Sequence, residues 1–241
     1  LQTPDLLNAS MVIGAVSVAL FVMGGNALND YADSISDSVS HPSRPIPSGH
    51  IPRERALYAG CSLLIASAII AVLLPLASFI IVTTACALEI AYELRLKRMG
   101  FAGNLTIGAV TGMTFLLGGS IAGDTARCAI PFLAVMLISV SREISSDIAD
   151  AEGDVKRRTL PRSIGLRGSR IIASFALVSA IPVSIAFFVI YGAGTLFVFV
   201  TVPYLLILET SRRILLNKNG VEPIMLISML LLGLSFALGS F

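Results

Sequence analysis

The chain is 241 residues long, 55% of them hydrophobic and only 13% charged, with a mean hydropathy of +0.87. About a quarter of the residues of a soluble domain are charged, so this composition excludes an ordinary soluble protein and indicates a polytopic membrane protein. The net charge of +2 says little alone; the placement of the charges says more.

A helix needs about 20 apolar residues to cross the hydrocarbon core. Eight such runs can be placed, at 6–29, 55–74, 76–94, 103–123, 128–146, 169–191, 194–211 and 221–240. The second and third meet at Pro75, where a single kinked helix is the competing reading; two spans are expected, because one would be too long. Cys61, Cys86 and Cys128 are isolated within spans, where packing is their expected role.

With alternating loops, the basic residues fall on one side. Arg44, Arg53 and Arg55 follow the first span, and Arg95, Lys97 and Arg98 the third. Arg142, Lys156, Arg157, Arg158, Arg162, Arg167 and Arg170 surround the fifth-to-sixth connection, and Arg212, Arg213 and Lys218 follow the seventh. The opposite loops carry only Arg127, so the basic side is expected to be cytoplasmic and the protein a multi-pass component of the cell membrane. That orientation puts residue 1 outside. Since it is Leu and nothing before Arg44 is basic, a further N-terminal span is expected to precede this chain; no cleavable signal peptide is visible.

Carboxylates are scarce in the apolar runs, yet two acidic clusters close two of them: Asn26, Asp30, Asp33, Asp37 and Glu143, Asp147, Asp150, Asp154. Both follow i, i+4, i+7, i+11, a spacing that places four side chains along one face of a helix. Carboxylates crowded beside a membrane repel one another and lose hydration, so a shared cation is the natural relief. Oxygen donors without His or Cys favour a hard ion, Mg²⁺ before Ca²⁺ or Zn²⁺.

A basic, proline-punctuated segment follows each cluster. The first is Arg44-Pro45-Ile46-Pro47-Ser48-Gly49; the second is Arg158-Thr159-Leu160-Pro161-Arg162-Ser163-Ile164-Gly165. The recurrence, at an offset of about 115 residues, suggests one transmembrane domain over 1–241 made of two similar halves, roughly 1–125 and 126–241, a design that commonly builds sites between repeats. Positive inside loops containing proline are common in any polytopic protein; the matched acidic spacing is what favours duplication. A third segment on the basic side, Tyr92-Glu93-Leu94-Arg95-Leu96-Lys97-Arg98, brings compact positive charge and a phenol to the membrane surface, suited to phosphate. Snorkelling alone would account for Arg98.

The run from Asn29-Asp30 through Asp33 and Asp37, followed by Arg44-Pro45-Ile46-Pro47-Ser48-Gly49, resembles the first signature, NDxxDxxxD plus RPxPSG, of the UbiA superfamily of intramembrane prenyltransferases. Asp147, Asp150 and Asp154 with Thr159-Leu160-Pro161 resemble its second. Within the superfamily, the run Arg142 to Asp154 is most similar to the archaeal digeranylgeranylglyceryl phosphate synthases, although Ser146 stands where that subgroup often has Lys. Tyr92 and Lys97 lie one residue further apart than in quinone-forming members. The resemblance implies an all-α fold, a ring of nine transmembrane helices around a cavity open to lipid, of which eight are readable here. It implies Mg²⁺-dependent transfer of a geranylgeranyl group from geranylgeranyl diphosphate to geranylgeranylglyceryl phosphate, in archaeal ether-lipid synthesis.

On that reading Asp33, Asp37, Asp150 and Asp154 are the catalytic carboxylates. The metal set is Asn29, Asp30, Asp33 and Asp37, with Asn26 as a further candidate, for one ion, and Asp147, Asp150 and Asp154 for the other. Two stripes are open on the first helix, Asn29-Asp33-Asp37 and Asn26-Asp30-Asp33-Asp37, and not all members can touch the ion. Arg44, Tyr92, Arg95, Lys97 and Arg158 would hold the diphosphate, and Arg162 or Arg167 the acceptor's own phosphate. An allylic diphosphate departs only when its charge is neutralised, and the cation left behind needs shielding from water.

An aromatic acceptor such as 4-hydroxybenzoate, or a chlorophyll-type one, is the alternative within the same chemistry. A cation-coupled transporter would explain the duplication but not the arginine-proline segments. Glu89 and Glu209 can be read as proton-relay groups or as paired structural carboxylates, and His41 and His50 as surface residues. With no haem-attachment motif, nucleotide-binding glycine loop or aromatic-basic patch, no nucleic acid is expected as partner; prenyl diphosphate, acceptor and membrane lipid are, and no protein partner is implied.

Overall fold

The computed structural model describes residues 4–151, 159–192 and 197–238. Among them are eight α-helices and no strand, against the nine helices that the resemblance implies: α1 (Pro4–Ser40), α2 (Arg53–Ala71), α3 (Leu76–Leu94), α4 (Phe101–Ala122), α5 (Ala129–Ala149), α6 (Leu160–Tyr191), α7 (Phe197–Leu215) and α8 (Val221–Leu238). Among the described residues seven of them, α1 to α6 and α8, are long and apolar enough to cross a membrane by length and composition. Helices are the expected solution, because lipid offers no partner for an unpaired backbone group.

Two boundaries differ from the hydropathy pattern for identifiable reasons. The first span was expected to end near 29, but α1 continues to Ser40: the polar stretch after Asn29 holds no breaker until Pro42, so the helix carries the whole acidic cluster out of the apolar run. The sixth span was expected to begin at 169, but helix starts at Leu160, with Pro161 in the first turn, where its missing N–H costs nothing. The segment around Pro161, expected as a loop, is therefore helical up to Gly165, whose φ of 80° and ψ of 163° break the helix. At Pro75 the expectation of two spans holds, with α2 and α3 separate helices.

The contacts divide the chain into two compact units: Leu1–Arg95 with Leu116–Ala126, and Leu96–Phe115 with Arg127–Phe241. In the first, α1, α2 and α3 pack on one another. Since lipid tails are as apolar as leucine, close approach and hydrogen bonding must hold such helices together. Both are present between α1 and α2. A Cβ on Gly60 would lie 2.7 Å from Leu28 Cγ and 3.0 Å from the Gly24 carbonyl oxygen, so only glycine fits. Further along, the hydroxyls of Ser17 and Ser67 lie 3.0 Å apart, and each also donates to the other's backbone carbonyl, at 3.1 and 2.8 Å. Such bonds between membrane helices contribute about 0.6 kcal/mol each. Leu28, Leu64, Ala71 and Val82 are among the buried residues of this core.

In the second unit α5 and α6 pack extensively, α7 lies on α6 and α8, and α8 also meets α5. Ile138, Ile144, Leu177, Phe187, Ile207 and Leu232 form the centre of its core. Edge-to-face rings join α4, α6 and α8: Phe236 lies 6.2 Å from Phe115 and 5.0 Å from Phe187. Outward-facing apolar side chains such as Leu76 at 73% and Val189 at 77% exposure are what a lipid-facing surface requires.

Candidate active site

The helical extension of α1 decides which of its polar side chains turn inward. Asp37 is buried, at 7% exposure, Asn29 and Asp33 are half-buried, and Asn26 and Asp30 are exposed. Burial therefore distinguishes the two stripes open in the sequence: Asn29, Asp33 and Asp37, at i, i+4, i+8, turn toward protein, while Asn26 and Asp30 turn away.

Each inward residue at an end of the stripe is held. Arg44 Nη1 donates to Asp37 Oδ2 at 2.7 Å, and His41 Nδ1 lies 3.7 Å from Asp37 Oδ1. The carboxylate beside it raises the Arg44 pKa above its ordinary value, so this guanidinium remains charged. Arg44 comes from the compact segment after α1, where its own carbonyl accepts from the Ser48 amide and Gly49 adopts a φ of 80°. Asn29 Nδ2 donates to Glu93 Oε1 at 3.0 Å, Glu93 being buried on α3. Between them, Arg53 of α2 stacks 4.2 Å from the Tyr31 ring centroid and donates Nε to the Tyr31 carbonyl at 3.1 Å, fixing the polar half of α1 against the start of α2.

In the second unit, α5 ends at Ala149 and Asp150 is its C-cap, still in the right-handed helical region. The face of the second cluster is thus helical from Glu143 to Asp147, with Asp150 at the cap. Asp154 and Arg158 lie outside the described residues. Asp147 is half-buried and accepts from Asn104 Nδ2 of α4 at 3.1 Å, whereas Asp150 is exposed. Glu143, the first residue of that spacing, is bound to its neighbour instead: Arg142 Nη2 donates to Glu143 Oε1 at 2.7 Å. Arg142 also reaches Glu222 of α8, 3.9 Å away.

Of the basic candidates, Lys97 is half-buried on the 3-10 turn Leu96–Arg98 and Arg95 is exposed. That turn is held against α4 at Gly103, where a Cβ would sit 2.6 Å from the Leu96 carbonyl oxygen. Tyr92 is half-buried near the end of α3, and Arg162 and Arg167 are exposed on the first turns of α6. Glu209 accepts from Arg212 at 2.7 Å and from Arg213 at 2.9 Å, a surface pairing along α7. Glu89 is buried against Gly25 of α1.

Glu93 and Asn104 are the residues that sequence reasoning passed over as site residues. Each stands one helix away from an acidic cluster, and the one sign of them was a polar residue at the edge of an apolar run.

The donor chemistry fits a hard cation. Among the described residues no three His, Cys, Asp or Glu side chains converge on one point. Mg²⁺ does not need such a cage; it takes one or two carboxylates and completes its shell with water and phosphate oxygens. An amide oxygen and two carboxylates along one helix face, Asn29, Asp33 and Asp37, suit that habit.

Known proteins agree with this architecture. The digeranylgeranylglyceryl phosphate synthase of Methanosphaera stadtmanae is 33% identical over 245 residues, covering 97% of this chain and 89% of the relative. A solved structure described for a digeranylgeranylglyceryl phosphate synthase in membranes superposes with a TM-score of 0.78 at 26% identity, over 96% of this chain and 86% of that one. A UbiA homologue from Archaeoglobus fulgidus, bound to DMAPP and Mg²⁺, shares the fold with a TM-score of 0.61 at 19% identity, over 95% of this chain and 87% of that one. Residues 2–238 match the UbiA prenyltransferase family. A multi-pass helical membrane protein with this match, this acidic stripe and its arginine belongs to the UbiA prenyltransferase family and is a prenyltransferase.

Proposed function

We propose that the chain transfers a geranylgeranyl group from geranylgeranyl diphosphate to the free hydroxyl of geranylgeranylglyceryl phosphate, the step that attaches the second chain in archaeal ether-lipid synthesis, at the cytoplasmic face of the cell membrane. The observation that carries the mechanism is the inward stripe Asn29-Asp33-Asp37 with Arg44 bonded to its end. The acceptor comes from the relative, a digeranylgeranylglyceryl phosphate synthase that aligns with 97% of this chain. The one-sided placement of Arg and Lys supports the orientation.

Asn29, Asp33 and Asp37 would hold one Mg²⁺, and Asp147, Asp150 and Asp154 the other; Asp30 and Asn26 face away and would serve through the water around them. Bound there, Mg²⁺ supplies Lewis-acid neutralisation of the departing diphosphate. Arg44 binds non-bridging phosphate oxygens with a guanidinium that is already charged. Lys97 does so with a compact ammonium, and Tyr92, Arg95 and Arg158 complete the anion-binding set. Apolar helix faces exclude water from the allylic cation, which would otherwise be hydrolysed. The acceptor hydroxyl attacks that cation, forming the ether bond and releasing its proton. Arg162 and Arg167, exposed at the start of α6, would receive the acceptor's phosphate.

The test is turnover by purified protein in lipid with Mg²⁺ and radiolabelled geranylgeranyl diphosphate, with geranylgeranylglyceryl phosphate or 4-hydroxybenzoate as acceptor. Product with the glycerophosphate alone is expected. Product with the aromatic acceptor alone would move the enzyme to quinone synthesis, and turnover with neither would overturn the proposal.

A further inference from the structure

We propose that Glu93 is a positioning residue that orients the Asn29 side-chain amide, so that the amide oxygen faces the cation held by the α1 stripe. The inference rests on the Mg²⁺ reading above and deepens it.

A carboxylate can only accept hydrogen bonds, so its partner in an Asn side chain must be the NH₂ group. Glu93 Oε1 takes that bond at 3.0 Å. With Nδ2 committed to α3, Oδ1 is the end of the amide left for a cation. An unanchored amide would present its NH₂ in a share of molecules, and that group repels a metal ion. Glu93 therefore selects one of two nearly isosteric orientations of Asn29. A ligand oriented by an outlying hydrogen bond binds metal more tightly because its ordering is complete before the ion arrives.

The helix packing supports this register. Glu89 and Glu93 are one turn apart on α3, and Gly25 and Asn29 are one turn apart on α1. The lower pair also lies close: a Cβ on Gly25 would fall 2.8 Å from Glu89 Oε1. The absence of a side chain at Gly25 lets α3 come near enough for Glu93 to reach Asn29. Burial of Glu93 at 7% exposure keeps water from competing for the bond.

Two conservative variants separate orientation from simple charge. Glu93→Gln loses the charge but keeps an acceptor oxygen at the same reach; Glu93→Asp keeps the charge but withdraws the oxygen by one methylene. The readout is Mn²⁺ affinity, measured by electron paramagnetic resonance on protein in nanodiscs with inorganic diphosphate, beside a thermal melt. Glu93→Gln is expected to stay within about threefold of the native affinity and Glu93→Asp to lose about 10-fold or more, in the range of outlying-ligand substitutions. In an Asn29→Ala background Glu93→Asp should cost nothing further. Native affinity in Glu93→Asp, a larger loss in Glu93→Gln, or an undiminished loss in the Asn29→Ala background would each overturn the inference while leaving the metal site standing. Equal Mn²⁺ binding by the native protein and Asp33→Ala would instead remove the metal reading, and the inference with it.

Discussion

Arg44 and Asp37 form an ion pair 2.7 Å long between an arginine that is about half exposed and a carboxylate that is nearly covered. The pair joins the proline-rich segment to the end of α1. It supplies the countercharge that Asp37 needs in the absence of an ion, and it parks the proposed phosphate-binding group beside the stripe.

Replacing Arg44 by Ala should therefore affect substrate use more than folding. Hydrogen bonds to charged groups contribute about 1.5–3 kcal/mol, which corresponds to about 10- to 150-fold in kcat/KM. Steady-state kinetics with varied geranylgeranyl diphosphate should show the loss. Arg44→Lys should recover part of it, since an ammonium replaces the charge but not the forked geometry.

Helix packing offers an independent check. Gly60→Ala places a methyl group 2.7 Å from Leu28 and against the Gly24 carbonyl, and overpacking of this kind costs about 1–3 kcal/mol. Because α1 carries the stripe, activity should fall together with the melting temperature in detergent. Gly118→Ala, with no neighbouring atom within 4 Å of the new Cβ, should leave both unchanged.

Asn104 is expected to matter to chemistry although it belongs to neither acidic cluster. It is buried at 8% exposure and donates to Asp147 Oδ2 at 3.1 Å. Asn104→Ala removes this bond to Asp147 and should lower turnover about 10-fold or more. Asn104→Asp places a second carboxylate against the first and should be worse than alanine. Turnover at saturating substrate, compared between the two variants, measures this.

Much of this fold can be read from residue order, since a 20-residue apolar run in lipid has little alternative to a helix. Pro75 correctly divided α2 from α3, whereas the acidic spacing grouped Asn26 and Asp30 with Asp33 and Asp37 on one face of α1, and burial turns the first two outward. Hydropathy failed at the polar ends: it records where a helix leaves the bilayer, whereas α1 persists to Ser40 because nothing in Asp30 to Ser40 breaks it. The second cluster was expected to share one helical face, but α5 ends at Ala149, which leaves Asp150 at its cap. Glu93 and Asn104 were illegible as site residues for a different reason. Each meets its partner only through the packing of two helices, across 64 and 43 residues of chain, and no local periodicity reports such a meeting. Choosing between the two stripes likewise required knowing which side of α1 the neighbouring helices cover.

The most direct test of the central claim is Mg²⁺-dependent diphosphate release from geranylgeranyl diphosphate by Asp33→Ala, compared with the native protein and with Asp30→Ala. Losing a preorganised charge-stabilising group costs about 10²–10³ in rate. The inward stripe therefore predicts at least that loss for Asp33→Ala at an unchanged melting temperature, a smaller one for the outward Asp30→Ala, and none remaining to lose once EDTA has removed the metal. Full activity in Asp33→Ala, or native turnover undiminished by EDTA, would contradict the account.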